Sequence, residues 1–496
     1  MADTSIIFNN FQKGIGASPY VGFELMRGLN ITDKPGIAYP NLALIKESST
    51  TITDEIFQTR WDNQGQLWGV SAAKLYKRST AGSWSSIALP GGGSTGTHYG
   101  IAFWGANTTK AKGYIFLFAG TSIDLLDLAD ETTWSKGWAS LGGASITKNA
   151  FVASNNILYI NKGANYGFAS IAEYSFGSFN GTSGGTSSVI TQAALTMPAD
   201  YFVVGFTELG SKLLILANKA GDDNGAMIFP WDKVSADFDI PIKLFEDGDY
   251  AGWQAVVIGL KAYIHCGKRG QWYVTNGTEA VKFTRLPASV TDLVTSSTLL
   301  YPDAVDVVNG LIYFAISTNS TQANLGIYSL HPETGAINFE HIVSTSSDGG
   351  TNELLITSIK SLGNKQFVCV WADNTTTYGV DKVDTNRYTT DLAYLISPFI
   401  RAGSKFNKRA LTTWEVQLAK PITSGDSVKL YYRTSQNGSW LSVNNDAVED
   451  ASGDTLSFIS VVGEASGALN HAVTCENIQV KCVLNKGAEL LEIRIN

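Results

Sequence analysis

The sequence contains few charged residues and no long hydrophobic run. Only 16% of its 496 residues are charged, against about 25% in an average soluble domain. Coiled coils and long helical bundles need abundant Glu, Lys, Leu and Ala, so the low charge argues against both. The longest apolar stretch, near Ala255–Leu260, is far shorter than the roughly 18 residues of a membrane-spanning helix. Aromatic residues make up 11% of the chain, and a disordered chain has fewer.

Cysteines and clusters of basic residues are also scarce. The four cysteines are too few for a disulfide scaffold. Cys482 lies on the apolar face of a strand and should be a buried, inert thiol, and we expect no disulfide with Cys475. The net charge is −8 and no run of Lys and Arg occurs, which argues against a protein that grips nucleic-acid phosphates. The first residues lack the basic and apolar parts of a secretory signal, so we expect neither export nor membrane anchoring.

Glycine and small polar residues are abundant, and the hydrophobic residues follow a period of two. Apolar runs of roughly 4–8 residues are separated by clusters of Gly, Asn, Asp, Ser and Thr, which is the pattern of short strands and turns. No segment has the periodicity of an amphipathic helix of three turns. The chain is therefore predicted to be all-β.

One unit recurs along most of the chain, and it consists of an apolar strand, a polar turn and a second strand. Its equivalent positions are spaced by 47, 44, 55, 49, 50 and 55 residues, and they are Leu67, Tyr114, Leu158, Leu213, Ala262, Ile312 and Phe367. This spacing is typical of β-propeller blades, which have four strands in ~40–50 residues. Stacked β-sandwich modules would alternate strands and turns too, but they would not require such constant spacing. We predict a β-propeller of about seven degenerate blades over residues 52–387.

Two dipeptides support individual blades. Asn276-Gly277 lies between the strands 271–275 and 280–283, and Asn309-Gly310 lies between 304–308 and 311–314. Both dipeptides are typical of type I′ turns, in which both central residues have positive φ. We therefore expect a tight hairpin at each position.

The chain changes character from about Tyr388 onward, where the strands lengthen and alternate cleanly. Their apolar faces are Trp414, Val416 and Leu418; Val428, Leu430 and Tyr432; Ile478, Val480, Cys482 and Leu484; and Leu491, Ile493 and Ile495. This pattern predicts a separate antiparallel β-sandwich over residues 388–496. Residues 1–51 are rich in Gly and Pro and are predicted to form an extended N-terminal lead-in.

Catalytic and metal-binding motifs are missing as well. The sequence has no nucleotide-binding glycine loop and no Gly-x-Ser-x-Gly nucleophile motif. His265 and Cys266 are adjacent, and neighbours on a strand point to opposite faces, so we expect a core thiol and an imidazole at the rim instead of a metal site. The acidic clusters 222–225 and 246–249 fit solvated turns better than a Ca²⁺ loop or paired glycosidase carboxylates. We expect no catalytic, cofactor-binding or metal-binding residue and no enzyme activity.

Twelve tryptophans raise the possibility of sugar binding, because aromatic faces stack on sugar rings. Most of them lie within or beside apolar strands and are predicted to be core residues, namely Trp68, Trp104, Trp272, Trp371 and Trp414. Trp134, Trp138 and Trp253 lie in surroundings rich in Gly, Ser and Thr. These three are the candidates for exposed aromatic contacts.

The N-terminal region contains the most informative pattern. Residues 11–23 read FQKGIGASPYVGF, residues 27–32 read RGLNIT, residues 34–40 read KPGIAYP and residues 42–44 read LAL. Together with SPFIR at 397–401, KLYYRT at 429–434 and EIRI at 492–495, these segments resemble the tail-nozzle proteins of short-tailed phages, also called tail tubular or DNA-stabilisation proteins. The order of parts is similar too, because in that family a β-propeller precedes a C-terminal β-domain.

The resemblance implies a non-enzymatic structural protein of the virion, assembled in the host cytoplasm. Nozzles form homohexameric rings at the distal end of the portal and adaptor, and they contact distal tail or fibre proteins. Double-stranded DNA passes through such a ring without sequence-specific binding. The net charge of −8 fits a wall that repels phosphate, and weakly charged blade faces suit large subunit contacts.

Two other functions stay open at this level. A peripheral tail or receptor-binding protein that recognises host surface glycans would use exposed aromatics such as Trp134, Trp138 and Trp253. A carbohydrate-active propeller enzyme would use carboxylates within residues 222–249. We favour the nozzle-like tail protein, a ring of about six copies that continues the DNA exit channel below the portal and adaptor.

Overall fold

The computed structural model describes residues 6–15, 23–34, 36–48, 52–89, 98–104, 112–119, 122–140, 150–152, 154, 157–161, 170–174, 190–219, 225–244, 253–266, 270–286, 298–318, 325–343, 354–373, 377–388, 393–403, 408–411, 413–420, 427–443, 455–459 and 473–495. Within these ranges the chain is all-β apart from a short 3-10 helix at Phe11–Lys13. The strands form mostly four-stranded antiparallel sheets, as the alternating sequence predicts.

Six blades are antiparallel sheets built from strands that follow one another in the chain. Blades 1 to 3 consist of Ile56–Trp61, Leu67–Ser71, Lys74–Arg78 and Trp84–Ala88; His98–Trp104, Tyr114–Ala119, Ser122–Asp127 and Trp134–Ser140; and Ala150–Val152, Leu158–Asn161, Ser170–Tyr174 and Ile190–Thr196. Blades 4 to 6 consist of Tyr201–Leu209, Lys212–Lys219, Met227–Trp231 and Ile242–Lys243; Trp253–Ile258, Lys261–Cys266, Gln271–Thr275 and Ala280–Arg285; and Val305–Val308, Leu311–Thr318, Gly326–Leu330 and Ile337–His341. The short strand Thr298–Leu299 also pairs with the second strand of blade 6.

Blade 7 is built from both ends of the propeller sequence. Its first three strands are Leu354–Gly363, Gln366–Asp373 and Tyr378–Tyr388, and its outer strand is Leu42–Ser48. The outer strand pairs antiparallel with the third strand, so that Leu44 lies opposite Val383 and Ile45 lies opposite Lys382. The predicted lead-in 1–51 therefore contains a strand of the last blade.

The seven blades form a closed ring. The first strand of each blade contacts the first strand of the next, and the first strand of blade 7 contacts that of blade 1. First strands that meet in this cyclic order line a common centre, which is the arrangement of a β-propeller. The prediction of an all-β propeller with about seven blades is confirmed.

The repeat found in the sequence corresponds to the second strand of each blade. All seven equivalent positions, from Leu67 to Phe367, are the first or second residue of that strand, and all seven are buried. Neighbouring blades cover this strand on both faces, so it reads as a continuous apolar run rather than an alternating one. In Leu67–Ser71, for example, every side chain is buried.

The two predicted hairpin turns differ. Asn309 and Gly310 have φ of 51° and 81° and join strands that end at Val308 and begin at Leu311, so this type I′ turn is confirmed. Around Asn276 the loop has four residues, 276–279, and the Asn276 Oδ1 accepts hydrogen bonds from the backbone N–H groups of Thr278 and Glu279, at 2.9 and 3.1 Å. A two-residue turn is wrong there, because the asparagine side chain organises a longer loop.

The C-terminal strands form two main sheets with N-terminal strands added to each. The first sheet contains, in order, Ile6–Phe8, Leu490–Ile495, Thr413–Leu418 and Thr455–Ile459. The second contains Leu441–Ser442, Ser427–Arg433, Asn477–Asn485, Ala393–Ile396 and Leu25–Arg27. Shorter pairings join Ile400–Arg401 to Asn477–Asn485, Arg409–Leu411 to Val473–Cys475, and Leu29–Asn30 to Tyr39–Pro40.

The second sheet continues into the propeller. Leu25–Arg27 pairs antiparallel with Ala393–Ile396 on one side and, parallel, with Ile337–His341 on the other. The latter strand is the outer strand of blade 6. The N-terminal segment therefore joins blade 6 to the C-terminal sheets through backbone hydrogen bonds.

One hydrophobic core extends across this connection. It includes Phe314 and Phe339 of blade 6 together with Trp414 and Tyr432 of the C-terminal strands, whose rings lie 5.8 Å apart. The predicted apolar faces are buried, except that Leu490 takes the core position expected for Leu491, because the register shifts opposite Leu418. A β-sandwich over residues 388–496 stays a prediction.

Candidate functional site

The three tryptophans expected to be exposed lie mainly inside the blades. Trp138 and Trp253 are 2% and 1% exposed, whereas Trp134 is half-buried. The Trp253 Nε1 donates a hydrogen bond of 2.7 Å to the Asn218 Oδ1, and the Trp138 ring packs edge-on against Phe116. The expectation of exposure is wrong for Trp138 and Trp253. Their neighbours in sequence are small and polar, but neighbouring strands cover both side chains. The five tryptophans predicted to be core residues are buried, namely Trp68, Trp104, Trp272, Trp371 and Trp414.

His265 does not lie at a rim. It is fully buried, stacks on Trp272 with ring centroids 4.7 Å apart, and its Nδ1 lies 2.9 Å from the Gln254 Oε1. Burial lowers the pKa of His265 to about 3, so the imidazole is neutral at ordinary pH. The predicted rim position is therefore wrong, since the ring is a core aromatic of blade 5.

The structure describes all four cysteines but little of the two acidic clusters. None of the four cysteines forms a disulfide and all four are buried, and burial raises the pKa of Cys482, as expected for an inert thiol. Of the two acidic clusters, 246–249 and all of 222–225 except Gly225 lie outside the described residues. Among the residues that the structure describes, no group of three His, Cys, Asp or Glu side chains could hold a metal ion. No helix in the described part of the chain is long and apolar enough to span a bilayer.

A cavity of about 440 Å³ lies among the first strands of the propeller. Its wall includes residues of blades 1, 4, 5, 6 and 7 and of the segment that leads into blade 6. Arg60, Asp303, Asp306 and Lys360 provide its charged groups. These residues come from distant parts of the sequence, and ring closure alone brings them together, so no local motif could have revealed them.

Three of the four charged groups of this cavity interact with one another. Arg60 forms an ion pair with Asp303, and the Lys360 Nζ lies 4.0 Å from the same carboxylate. The side chains of Asp303 and Lys360 are 9% and 14% exposed. Burial lowers the pKa of Lys360, and the attraction of Asp303 opposes that effect. The Asp303 Oδ2 is buried and accepts no hydrogen bond from the described residues.

Backbone hydrogen bonds hold the Asp306 carboxylate and the Asp303 main chain in place. The Asp306 Oδ2 accepts a hydrogen bond of 2.7 Å from the Ser361 N–H, and its Oδ1 accepts one of 2.8 Å from the Val307 N–H. The Asp303 carbonyl accepts one of 2.9 Å from the Ile359 N–H. Blades 6 and 7 therefore fix the Asp306 carboxylate and the Asp303 main chain relative to Lys360.

A second polar cluster lies where the N-terminal segment crosses blade 6. We call this crossing the N-terminal junction, and its contacts involve Gly14, Ile15, Arg27, Gly28, Ala38 and Asn41. The Glu340 carboxylate accepts hydrogen bonds there from Asn41, Ser329 and Asn338. Burial raises the pKa of Glu340 to about 7, although these hydrogen bonds lower it.

Asp33 organises the exposed side of the same region. Its Oδ2 accepts hydrogen bonds from the Tyr39 hydroxyl at 2.9 Å, the Lys365 Nζ at 2.7 Å and the Asn30 Nδ2 at 2.9 Å. Burial raises the pKa of Asp33, but the hydrogen bonds from Lys365 and Tyr39 outweigh burial and hold the pKa below its usual value. A cavity of about 210 Å³ lies beside this cluster. Asn30, Asp33, Tyr39 and Lys365 of this cluster line the cavity.

Several solved structures are similar to the chain. The β-propeller domain of Cps50 (Swd1) from Myceliophteria thermophila matches 68% of this chain and 99% of its own, with 10% identity and a TM-score of 0.44. Virginiamycin B lyase from Staphylococcus aureus matches 69% of this chain and 99% of its own, with 10% identity and a TM-score of 0.43. The extracellular domain of a putative one-component system from B. thetaiotaomicron matches 89% of this chain and 58% of its own, with 11% identity and a TM-score of 0.44. The sequence matches no protein-family model and no curated protein.

Proposed function

We propose that the chain is a non-enzymatic structural protein of a phage tail. It acts as a nozzle-like ring of about six copies that continues the DNA exit channel below the portal and adaptor and supports distal tail or fibre proteins. The ring assembles in the host cytoplasm and becomes part of the virion tail. The observation that carries this proposal is the N-terminal junction, because the segments that resemble nozzle proteins are the ones that join the propeller to the C-terminal sheets.

Several contacts give the junction its rigidity. The Ile15 N–H donates to the Ile337 carbonyl at 2.7 Å, and the Gly28 N–H donates to the Phe339 carbonyl at 2.8 Å. Ala38 and Leu490 exchange hydrogen bonds of 2.9 and 2.8 Å through their backbones. The segments 11–23, 27–32 and 34–40 each contribute to these bonds.

The Arg27 guanidinium reinforces the junction through aromatic rings on both sides. It lies 5.5 Å from the Phe339 ring of blade 6 and 5.7 Å from the Tyr394 ring of the C-terminal sheet. A subunit that transmits load between a portal and distal tail proteins benefits from such a connection, because a hinge between its two parts would absorb the load. The net charge of −8 per chain favours passage of DNA without tight binding.

The oligomeric state of the full chain tests this proposal. Native mass spectrometry and electron microscopy, with and without a co-expressed adaptor, should reveal rings of about six copies of the 53.3-kDa chain. Antibodies against the chain should label the tails of the phage that encodes it. A chain that stays monomeric with the adaptor, and that is absent from virions, would contradict the proposal.

A matched pair of variants tests the role of the junction in assembly. A Cβ at Gly14 would lie 2.3 Å from the Ile337 carbonyl oxygen, whereas a Cβ at Gly65 would meet nothing within 4 Å. Both glycines have positive φ. Gly14→Ala should lower the fraction of chains in rings, and Gly65→Ala should leave it unchanged. Equal assembly of the two variants would argue that the junction is not needed for the ring.

A further inference from the structure

The cavity at the centre of the propeller contains equal numbers of acidic and basic side chains. Arg60 and Lys360 oppose Asp303 and Asp306. A site for an inorganic anion or a metal ion needs an excess of one charge, and this cavity has none. A neutral ligand with both hydrogen-bond donors and acceptors suits such a balanced set.

The two carboxylate oxygens of Asp303 have different surroundings. The Asp303 Oδ1 faces Arg60 and Lys360, whereas its Oδ2 receives no hydrogen bond from the described residues, although the side chain is only 9% exposed. A buried acceptor without a hydrogen bond is unfavourable, because it has lost its hydration without gaining a partner. A ligand hydroxyl would supply the missing donor.

Three aromatic side chains line the same cavity, and one of them, Trp253, is buried. Trp61, at the end of the first strand of blade 1, and Phe206, in the first strand of blade 4, are both half-buried, so part of each ring stays accessible. Aromatic faces combined with a few fixed polar groups are typical of small-molecule sites, and the C–H face of a sugar ring packs on such surfaces.

We propose that this cavity binds a neutral polyhydroxylated ligand of one or two sugar units. One ligand hydroxyl donates to the Asp303 Oδ2, the Arg60 guanidinium donates to a ligand oxygen, and the ring face packs against Trp61. The cavity volume of about 440 Å³ lies within the range of ~300–1,000 Å³ that is usual for such pockets. The site lies within each propeller and does not depend on the proposed tail function.

Ligand-observed NMR and calorimetry on the full chain test this proposal. The probes are glucose, galactose, mannose and N-acetylglucosamine, with inorganic phosphate as a separate arm. At least one sugar should bind saturably with a Kd in the millimolar range, and Asp303→Asn, Trp61→Ala and Lys360→Met should each weaken that binding about tenfold or more. Two matched controls lie outside the cavity, Asp54→Asn and Trp440→Ala, and should bind as the wild type does.

Three results would overturn the proposal. They are no saturable binding of any of the four sugars, binding that the cavity variants leave unchanged, and binding of phosphate without binding of sugar. Circular dichroism identifies variants that fail to fold, and the variants that do fold decide the outcome. A readout on the wild type needs no variant: hydrogen exchange should slow in residues 56–61 and 354–363 when the sugar is added, and unchanged exchange there would also count against the site.

Discussion

Glu340 has a carboxyl group buried between blade 6 and the N-terminal segment. Its hydrogen-bond donors come from both sides, since Ser329 and Asn338 belong to blade 6 and Asn41 belongs to the N-terminal segment. Burial, followed by the negative charge of Asp33, raises the pKa of this carboxyl group, whereas the three hydrogen bonds lower it. The net result is a pKa of about 7 instead of the ordinary 4.5. The proton on Glu340 therefore links the stability of the junction to pH.

The Glu340→Gln variant should remove one pH dependence of stability. Below pH 4.5 the carboxyl group is protonated in both the folded and unfolded chains, so burial carries no charge penalty. As pH rises from 4.5 to about 7, the unfolded chain releases the proton and the folded chain retains it, so stability falls. This difference in pKa between the unfolded and the folded chain corresponds to a loss in the free energy of unfolding on the order of 3 kcal/mol. Urea unfolding of both proteins between pH 4 and 8 measures the difference.

The comparison between variant and wild type separates the effect of Glu340 on pH-dependent stability from the effects of two buried histidines. Burial lowers the pKa of His265 and of His341 to about 3, from 6.5, so their contributions to stability are lost as pH falls from 6.5 toward 3. Both histidines are present in both proteins, and their effect cancels in the difference. A difference in unfolding free energy that stays constant from pH 4 to 8 would contradict the role of Glu340.

Because Gly14 has no Cβ atom, its backbone can lie close to the backbone of Ile337. Its φ of 61° and ψ of −147° fall in a region that is essentially restricted to glycine. Gly14→Ala should lower the free energy of unfolding by about 3 kcal/mol or more, because backbone strain adds to the clash with the Ile337 carbonyl. Gly65→Ala, which has positive φ but open space, should cost about 1 kcal/mol. Equal losses in urea unfolding would refute the close approach at Gly14.

At the scale of elements, the closure of blade 7 decides whether the ring is complete. Without Leu42–Ser48, the third strand of that blade would present an unpaired edge. The closing strand is also the continuation of the N-terminal junction. The same segment therefore completes the propeller and connects it to the C-terminal sheets.

A disulfide across this pairing should form and should stabilise the ring. Ile45 and Lys382 lie directly opposite each other, and both are half-buried. In Ile45→Cys/Lys382→Cys the two sulfurs should join under mild oxidation, because opposite residues of antiparallel strands have Cβ atoms about 4.5–5.5 Å apart. Closing so long a loop should add about 2–4 kcal/mol to the free energy of unfolding. Non-reducing electrophoresis and thermal unfolding provide the measurements.

The single variant Ile45→Cys is the control for this disulfide. The four native cysteines are buried, so they should not react with the new thiol in the folded protein. The single variant should keep the wild-type melting temperature under oxidising conditions. Failure of the double variant to form the bond would show that Leu42–Ser48 is not the outer strand of blade 7.

The strands within blades were predictable from the sequence, but the closing strand was not. The second strands are buried on both faces, so their apolar runs recur at a spacing that can be counted, as from Leu67 to Phe367. Leu42–Ser48 has an ordinary strand sequence, and nothing local indicates that its partner lies at the far end of the propeller. Trp138 and Trp253 were predicted wrongly for a related reason, because small polar neighbours in sequence do not reveal which strands pack over a side chain.

At the scale of the molecule, the propeller and the C-terminal strands share a core. Buried residues of blade 5, blade 6, blade 7 and both C-terminal sheets belong to one contiguous cluster, which includes Trp272 of blade 5 and Trp414 of the C-terminal strands. The change in strand pattern near Tyr388 had suggested separable parts. The contacts that join the propeller to the C-terminal sheets depend on short N-terminal strands. Their sequence shows no periodicity that would assign them to the propeller or to the C-terminal sheets.

The full chain should unfold in a single calorimetric transition that involves both parts. Trp414 is fully buried in the C-terminal part of the core, so Trp414→Ala should cost about 3–5 kcal/mol and shift the whole transition to lower temperature. Differential scanning calorimetry of the wild type and the variant measures this. Two resolved peaks in the wild type, with only one of them shifted by the substitution, would contradict a shared core.

The cavity residues also depend on the whole molecule. Arg60, Asp303 and Lys360 come from blade 1, the segment before blade 6, and blade 7, and they meet because blade 7 packs against blade 1. The charge of each residue is visible in the sequence. Their pairing is a property of the closed ring, so it could not be read from spacing or motif.

The position of the closing strand has a consequence for synthesis. Leu42–Ser48 leaves the ribosome before any blade exists, and its partner Tyr378–Tyr388 leaves after six blades have been made. Until then the nascent chain is an open arc with an unsatisfied strand at its start, and contacts this distant in sequence form slowly. On a crowded polysome that strand can instead complete the blade 7 of a neighbouring nascent chain, giving exchanged dimers. The yield of correctly closed monomers should therefore rise when translation initiates less often on each messenger RNA.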